Sequence, residues 1–381
     1  MNAPLKSPPA ERPTPATPAP ERPYAVLLER SLAGLRRKLV QPLLRPVAAL
    51  FILLLIDFIM VPGFFQIAIR DGHLYGSLID IVNRAAPLML AALGMTLVIA
   101  TRGIDISVGA VVAISGTVAA LLIGGTMVMH NGVPEYVSRI PMVWALCAAM
   151  GAALLCGVWN GLLVATLGLQ PIIATLILMV GGRGLAQLLT DGQIITVYYK
   201  PFFFLGSGYL FGLPFALYLV AAVFIVVALL MRKTALGLFI QAVGINPVAA
   251  RLAGLKTAAL IFFVYIFCSG CAGLAGLMIS ANIKSADANN AGLLLELDAI
   301  LAVTLGGTSL AGGKFSLVGS MLGALIIQTL TYTIYSLGVP PEVNMVVKSV
   351  VVFLVCLSQS AEFKRVWQRA FPRKTKRAPA A

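Results

Sequence analysis

The sequence predicts an all-α polytopic membrane protein of about ten transmembrane helices. Three observations carry that prediction. Charged residues are 11% of the 381 and hydrophobic residues 59%, whereas a soluble domain carries about 25% charged residues. The apolar residues fall in runs of about 20, the length a helix needs to cross a ~30 Å hydrocarbon core. The basic residues sit in the tails and loops rather than on one folded face, so a net charge of +14 does not point to nucleic acid.

Residues 1–42 come first, with eight of the 22 prolines inside Met1–Pro23. Such a segment cannot bury enough apolar surface to fold, and it is expected to be a disordered cytoplasmic tail with a basic surface helix over 25–41. It does not have the form of a secretory signal, a short basic region followed at once by a short apolar core. The transmembrane domain is expected over 43–360, with spans near 43–62, 77–100, 106–124, 141–165, 171–190, 213–231, 257–281, 297–312, 315–337 and 341–360. The third begins straight after Arg102-Gly-Ile-Asp105, and the eighth is short and ends in glycine. Both read as broken or re-entrant helices. Residues 361–381 form a basic cytoplasmic tail.

Loop charge sets the orientation, because Lys and Arg favour the cytoplasmic side. Eight basic residues from Lys6 to Arg45 stand in the tail and at the very start of the first span, and seven follow the last. Two cytoplasmic tails require an even number of spans, and ten is even. The same threading puts Arg102, Arg232, Lys233, Arg251, Lys256 and Lys314 inside. The result is 21 basic residues inside against four outside: Arg70, Arg139, Lys200 and Lys284.

Polar groups inside spans are costly in lipid. Arg84 and Arg183, with Asn83, Asn160, Gln187 and Gln328, are therefore expected to face protein or a water-filled path. Hydrogen bonds that merely join helices are the alternative. Arg102 and Asp105 lie close enough in sequence to pair. Asp57 and Asp80 lie within spans, each near an end, and most other acids are in loops or tails, which disfavours ion-coupled transport; that mechanism usually needs carboxylates near the midplane.

The five cysteines lie in apolar stretches. Cys268-Ser-Gly-Cys271 has C-x-x-C spacing, but His73 and His130, the two histidines, are in loops. Helix packing explains the pair, and neither a metal nor a cofactor is expected. Gly157-x-x-x-Gly161 and Gly319-x-x-x-Gly323 would let helices approach closely. Gly306–Lys314 superficially resembles a phosphate loop but has Thr308 where a glycine is needed and Phe315 where Ser or Thr is needed. The chain thus shows no ATPase motif of its own.

Within the loop 232–256, Asn246 is suited to cap a helix and Pro247 to begin it. Ala249, Ala250 and Leu252 then give a small apolar face, and Gly254 can close the helix. Flanked by Gly244 and carrying Arg251, this exposed helix suits docking into a groove of another protein.

Four ordered blocks now resemble a known family, the permeases of bacterial sugar ABC importers of the ribose/galactose/xylose class, and most of all its galactofuranose permeases. They are Asn83-Arg-Ala-Ala-Pro through Gly94-Met-Thr-Leu to Gly103-Ile-Asp105-Ile-Ser-Val-Gly109; Asn160-Gly-Leu-Leu through Gln170-Pro to Arg183-Gly-Leu-Ala-Gln187; Thr234-Ala-Leu-Gly to Ala249-Ala-Arg-Leu-Ala-Gly254; and Ala286-Asp287-Ala-Asn289-Asn290 to Glu296-Leu-Asp298. The resemblance implies an ABC importer permease fold in the bacterial inner membrane. It implies a second permease chain, a cytoplasmic ATPase, a periplasmic binding protein and a monosaccharide cargo, with no covalent chemistry in this chain. Asn83, Arg102, Asp105, Asn160, Arg183 and Gln187 are expected on the translocation path. Asp287, Asn289, Asn290 and Glu296 are expected to meet the binding protein, and Gly244, Asn246, Ala249, Ala250, Arg251 and Gly254 the ATPase.

Overall fold

The computed structural model describes residues 43–350 except 45, 71, 131, 132, 339, 341, 342 and 344, together with 353 and 357. The expectations for both tails and for most of the tenth span lie outside these residues. Among the described residues, six helices are long and apolar enough to cross a membrane. They are α2 (Ser77–Ala100), α4 (Met142–Gly161) with its π-helical extension Leu162–Thr166, α5 (Pro171–Leu189), α7 (Phe215–Lys233), α10 (Thr257–Ile283) and α12 (Leu317–Ser336). Shorter apolar helices are α1 (Pro46–Met60), α3 (Val108–Ile123) and α8 (Leu236–Ile245).

The core forms around α10, which packs most extensively against α4, α2 and α3. Lipid offers no hydrophobic drive between helices, so close backbone approach through small residues must supply the contact. A side chain at Gly94 would stand 2.8 Å from the Cα of Cys268, and one at Gly157 only 2.7 Å from the Cα of Ile266. Both glycines are therefore required where α2 and α4 meet α10.

The two expected broken spans are short. The helix α3 has 16 residues and α11 (Leu295–Leu305) has 11, the latter only about 16 Å long. A loop over 306–316 follows α11, with Gly307, Gly312 and Gly313 at positive φ. The segment 101–107 between α2 and α3 is likewise non-helical and largely buried.

The loops at the opposite end hold structure that helix-length reasoning did not anticipate. Antiparallel pairs join Ala68–Arg70 to His73–Tyr75, Thr126–His130 to Val133–Val137, Ile195–Thr196 to Ser285–Ala286, and Tyr209–Leu210 to Leu213–Pro214. The stretch 191–212, expected as a plain loop, contains α6 (Lys200–Ser207). Its Phe202 is fully buried, and the Asn282 side chain donates to the Gly206 carbonyl at 3.2 Å.

Candidate functional site

The loop after α2 delivers a carboxylate into the bundle. Asp105 has no solvent exposure. Its Oδ1 accepts the Ser107 backbone N–H at 2.9 Å and the Ser107 hydroxyl at 2.6 Å, a local turn closed two residues on. Asn160, also fully buried on α4, donates Nδ2 to Ser107 Oγ at 2.8 Å and lies 3.5 Å from Asp105 Oδ1. Thr175 at the start of α5 accepts the Ile106 N–H at 3.2 Å. The loop is thereby tied to α4 and α5 together.

From α10, the Cys268 thiol faces the same carboxylate, and the buried Tyr265 hydroxyl lies against Gly103, whose missing side chain leaves room for it. Asp105 Oδ2, Asn160 Oδ1 and Tyr265 Oη have no hydrogen-bond partner among the described residues. Unpaired polar atoms in a dry site are costly, so this group is suited to accept donors that arrive only transiently, such as water or hydroxyl groups. Ser107, Thr175, Tyr265 and Cys268 were missed as site residues. Their signal is slight: Tyr265 and Cys268 are three apart, one helical face inside an otherwise apolar run.

Arg102 does not pair with Asp105, contrary to expectation. It sits at φ 66°, turned away, and its guanidinium donates to the carbonyls of Ala311 (3.1 Å) and Ile245. The Gly313 N–H bonds the Ala100 carbonyl at 2.9 Å beside it. Arg102 therefore stitches the end of α2, the end of α8 and the loop 306–316 into one junction.

Ile245 leads directly into the expected docking helix, α9 (Pro247–Leu252). Asn246 Oδ1 accepts the N–H groups of Val248 and Ala249, both at 3.0 Å, and Gly254 ends the helix at φ 87°. Gly244 is buried, with the Ala100 carbonyl and Gly313 where a side chain would be. One detail is corrected. Ala250 points inward at 5% exposure, while Val248 at 67% and Leu252 at 86% form the exposed apolar face. Ala249 and Arg251 are also exposed.

At the other end, Arg183 and Gln187 of α5 hold the loop 287–292. Arg183 Nη1 donates to the carbonyls of Ala288 (3.2 Å) and Ala291 (2.6 Å), and Gln187 Nε2 donates to Asn289 Oδ1 at 2.8 Å. Glu296 was expected to be free for a partner, yet it is 3% exposed. It turns inward beside Gly109, whose missing side chain leaves room for its carboxylate, and within electrostatic reach of Arg183. Asp287 is committed locally, accepting the N–H groups of Asn289 and Asn290 and the Asn290 amide. Asn289 and Asn290 themselves are exposed.

Asn83 stands apart from these groups. With Arg84, Asn282 and Gln328 it lines a separate cavity of about 210 Å³. Arg84 remains largely exposed there and pairs with Asp80 at 2.8 Å, one helical turn back. Among the described residues no group of histidine, cysteine and carboxylate side chains is arranged to hold a metal ion.

Comparison with known proteins follows the same lines. The model of a family described as branched-chain amino acid transport system, permease component, matches residues 77–356. The chain is 51% identical over 316 residues to the galactofuranose transporter permease protein of Escherichia coli K12, covering 83% of this chain and 89% of that one. It is 40% identical over 295 residues to the fructose import permease protein of Bifidobacterium longum, covering 76% and 79%. With the ribose import permease protein of Bacillus subtilis it shares 35% identity over 316 residues, covering 82% and 91%. No solved structure matches the chain.

Proposed function

We propose that this chain, which belongs to the branched-chain amino acid transport system permease component family, is the membrane-spanning permease subunit of an ATP-driven sugar importer. It forms half of the translocation path for a monosaccharide, with galactofuranose favoured, delivered by a periplasmic binding protein. The observation that carries this reading is the 51% identity with a galactofuranose permease across 83% of the chain. The fructose and ribose relatives widen the cargo class to monosaccharides. The chain lies in the bacterial inner membrane with ten spans and both termini in the cytoplasm, paired with a second, distinct permease.

In this reading α9 is the coupling helix. The apolar face of Val248 and Leu252 seats in a groove of the cytoplasmic ATPase, whose closure on ATP moves α9. Motion passes from Asn246 to Ile245, through Arg102 to the loop 101–107, and so to Asp105, Ser107 and Asn160. The loop 287–292, held by Arg183 and Gln187, receives the binding protein and acts as the outer latch. A two-state bundle biased at both ends alternates access. The path residues bind and release sugar hydroxyls, and ATP hydrolysis resides in the partner.

The buried carboxylates Asp57 and Asp105 favour a second reading, an ion-coupled sugar transporter. Co-purification with the ATPase separates the two. Leu252→Asp is expected to abolish capture of the ATPase by the intact chain while leaving the chain folded. Unchanged capture would remove α9 from the coupling role, and no capture by the unaltered chain would favour the ion-coupled reading.

A further inference from the structure

A large cavity shares no lining residue with the polar cluster or with the loop 287–292. It has a volume of about 730 Å³ and is lined by Leu97 of α2, Val227 of α7, Phe239 of α8, and Val264 and Phe267 of α10, with Lys256 among the lining residues. Its size falls within the ~300–1,000 Å³ of ligand sites, but its walls are nearly all hydrocarbon, unsuited to a sugar. It sits at the end of the spans where α7 finishes in Arg232 and Lys233 and α10 begins. The exposed Lys256 stands one residue before α10. No Asp or Glu occurs anywhere from residue 192 to residue 286, so α7, α8, α9 and α10 bring no carboxylate to this end.

An apolar cleft between helices, with Lys256 in its lining and no carboxylate on α7, α8, α9 or α10, matches one chemistry, an acyl chain beneath an anionic headgroup. We propose that this cavity binds one anionic phospholipid, its acyl chain between α7, α8 and α10 and its phosphate met by Lys256, Arg232 and Lys233. The leaflet, cytoplasmic in the sidedness proposed above, rests on that reading; the binding itself does not. The lipid wedges α8, the helix that ends at the Arg102 junction, against α10. Anionic lipid would thereby hold the coupling segment in place.

The test is native mass spectrometry of the full chain in detergent, titrated separately with phosphatidylglycerol and phosphatidylcholine. One phosphatidylglycerol is expected to bind, in preference to phosphatidylcholine, with Lys256→Gln lowering that preference about fivefold. Ala259 of α10 also lines the cavity, so Ala259→Trp, and the milder Ala259→Phe, fill it and keep every cation. Either is expected to abolish binding at this site while the chain stays monodisperse. Equal retention of the two lipids would overturn the proposal. So would a phosphatidylglycerol preference that survives Ala259→Phe, which would mean attraction to a basic surface alone. A cavity occupied by a second copy of the chain would appear as a lipid-free dimer and would overturn it equally. None of these readouts requires transport, so their failure leaves the importer reading intact.

Discussion

Arg102 donates from Nη2 to the carbonyl oxygen of Ile245, joining the loop that carries Asp105 to the residue before the cap of α9. A charge-assisted hydrogen bond contributes about 1.5–3 kcal/mol, and partial solvent exposure puts this one at the lower end. Arg102→Gln is expected to slow ATP-dependent uptake about tenfold while binding-protein-stimulated ATP hydrolysis persists. Hydrolysis without transport, measured in the same vesicles, is the mark of a broken linkage. Uptake and hydrolysis falling together would mean that Arg102 only holds the fold.

The buried chain from Asn160 to Ser107 to Asp105 predicts an order of stabilities. Asp105→Ala leaves the Ser107 N–H and hydroxyl without their acceptor, each unmet donor costing about 1–3 kcal/mol. Asp105→Asn keeps one carbonyl oxygen for those donors and is expected to melt several degrees above Asp105→Ala in a detergent thermal-shift assay. The reverse order would show that the cluster depends on the negative charge.

Gly109 offers a test of the packing around Glu296. A methyl group there would occupy the space of the Glu296 carboxylate and the Gly292 carbonyl, and overpacking of this kind costs about 1–3 kcal/mol. Gly109→Ala is expected to displace the start of α11 and reduce uptake at least tenfold. Accessibility of a cysteine introduced at Leu293 would report the displacement.

Asp287 sets an acid limit on the outer loop. Partial burial raises its pKa, but the Asn290 amide, the N–H groups of Asn290 and Asn289, and the Arg183 charge outweigh that and hold it below the ordinary carboxylate value. A depressed folded-state pKa gives stability that is present above the unfolded pKa of about 3.9 and is lost as pH falls through the folded value. The contribution of Asp287 to binding-protein-dependent uptake is therefore expected to stay flat from about pH 8 to pH 5. Asp287→Asn should weaken uptake across that whole range. A contribution that titrates near neutral pH would contradict the assignment.

What could be read from the sequence was mostly local. Asn246, Pro247 and Gly254 mark α9 because capping and termination are settled within a few residues. The short α3 and α11 were legible from Arg102-Gly-Ile-Asp105 and from the glycines after Leu305. Contacts between distant residues were not. Arg102 reaches Ala311, 209 positions away, whereas Asp105 finds its donors two residues on, so the expected ion pair never forms. Glu296 looked exposed because nothing nearby in sequence indicates that Gly109 leaves a space for it. Tyr265 was hidden because an aromatic in an apolar helix ordinarily signals packing, and only the fold brings its hydroxyl against Gly103 and within electrostatic reach of Asp105.

The central claim is ATP-driven import, and vesicle uptake tests it most directly. The chain would be reconstituted with its permease partner and ATPase in proteoliposomes, with the binding protein outside and labelled galactofuranose as cargo. Accumulation that requires both ATP inside and the binding protein outside is the predicted result. Accumulation driven by a proton or sodium gradient, without ATP or binding protein, would contradict it.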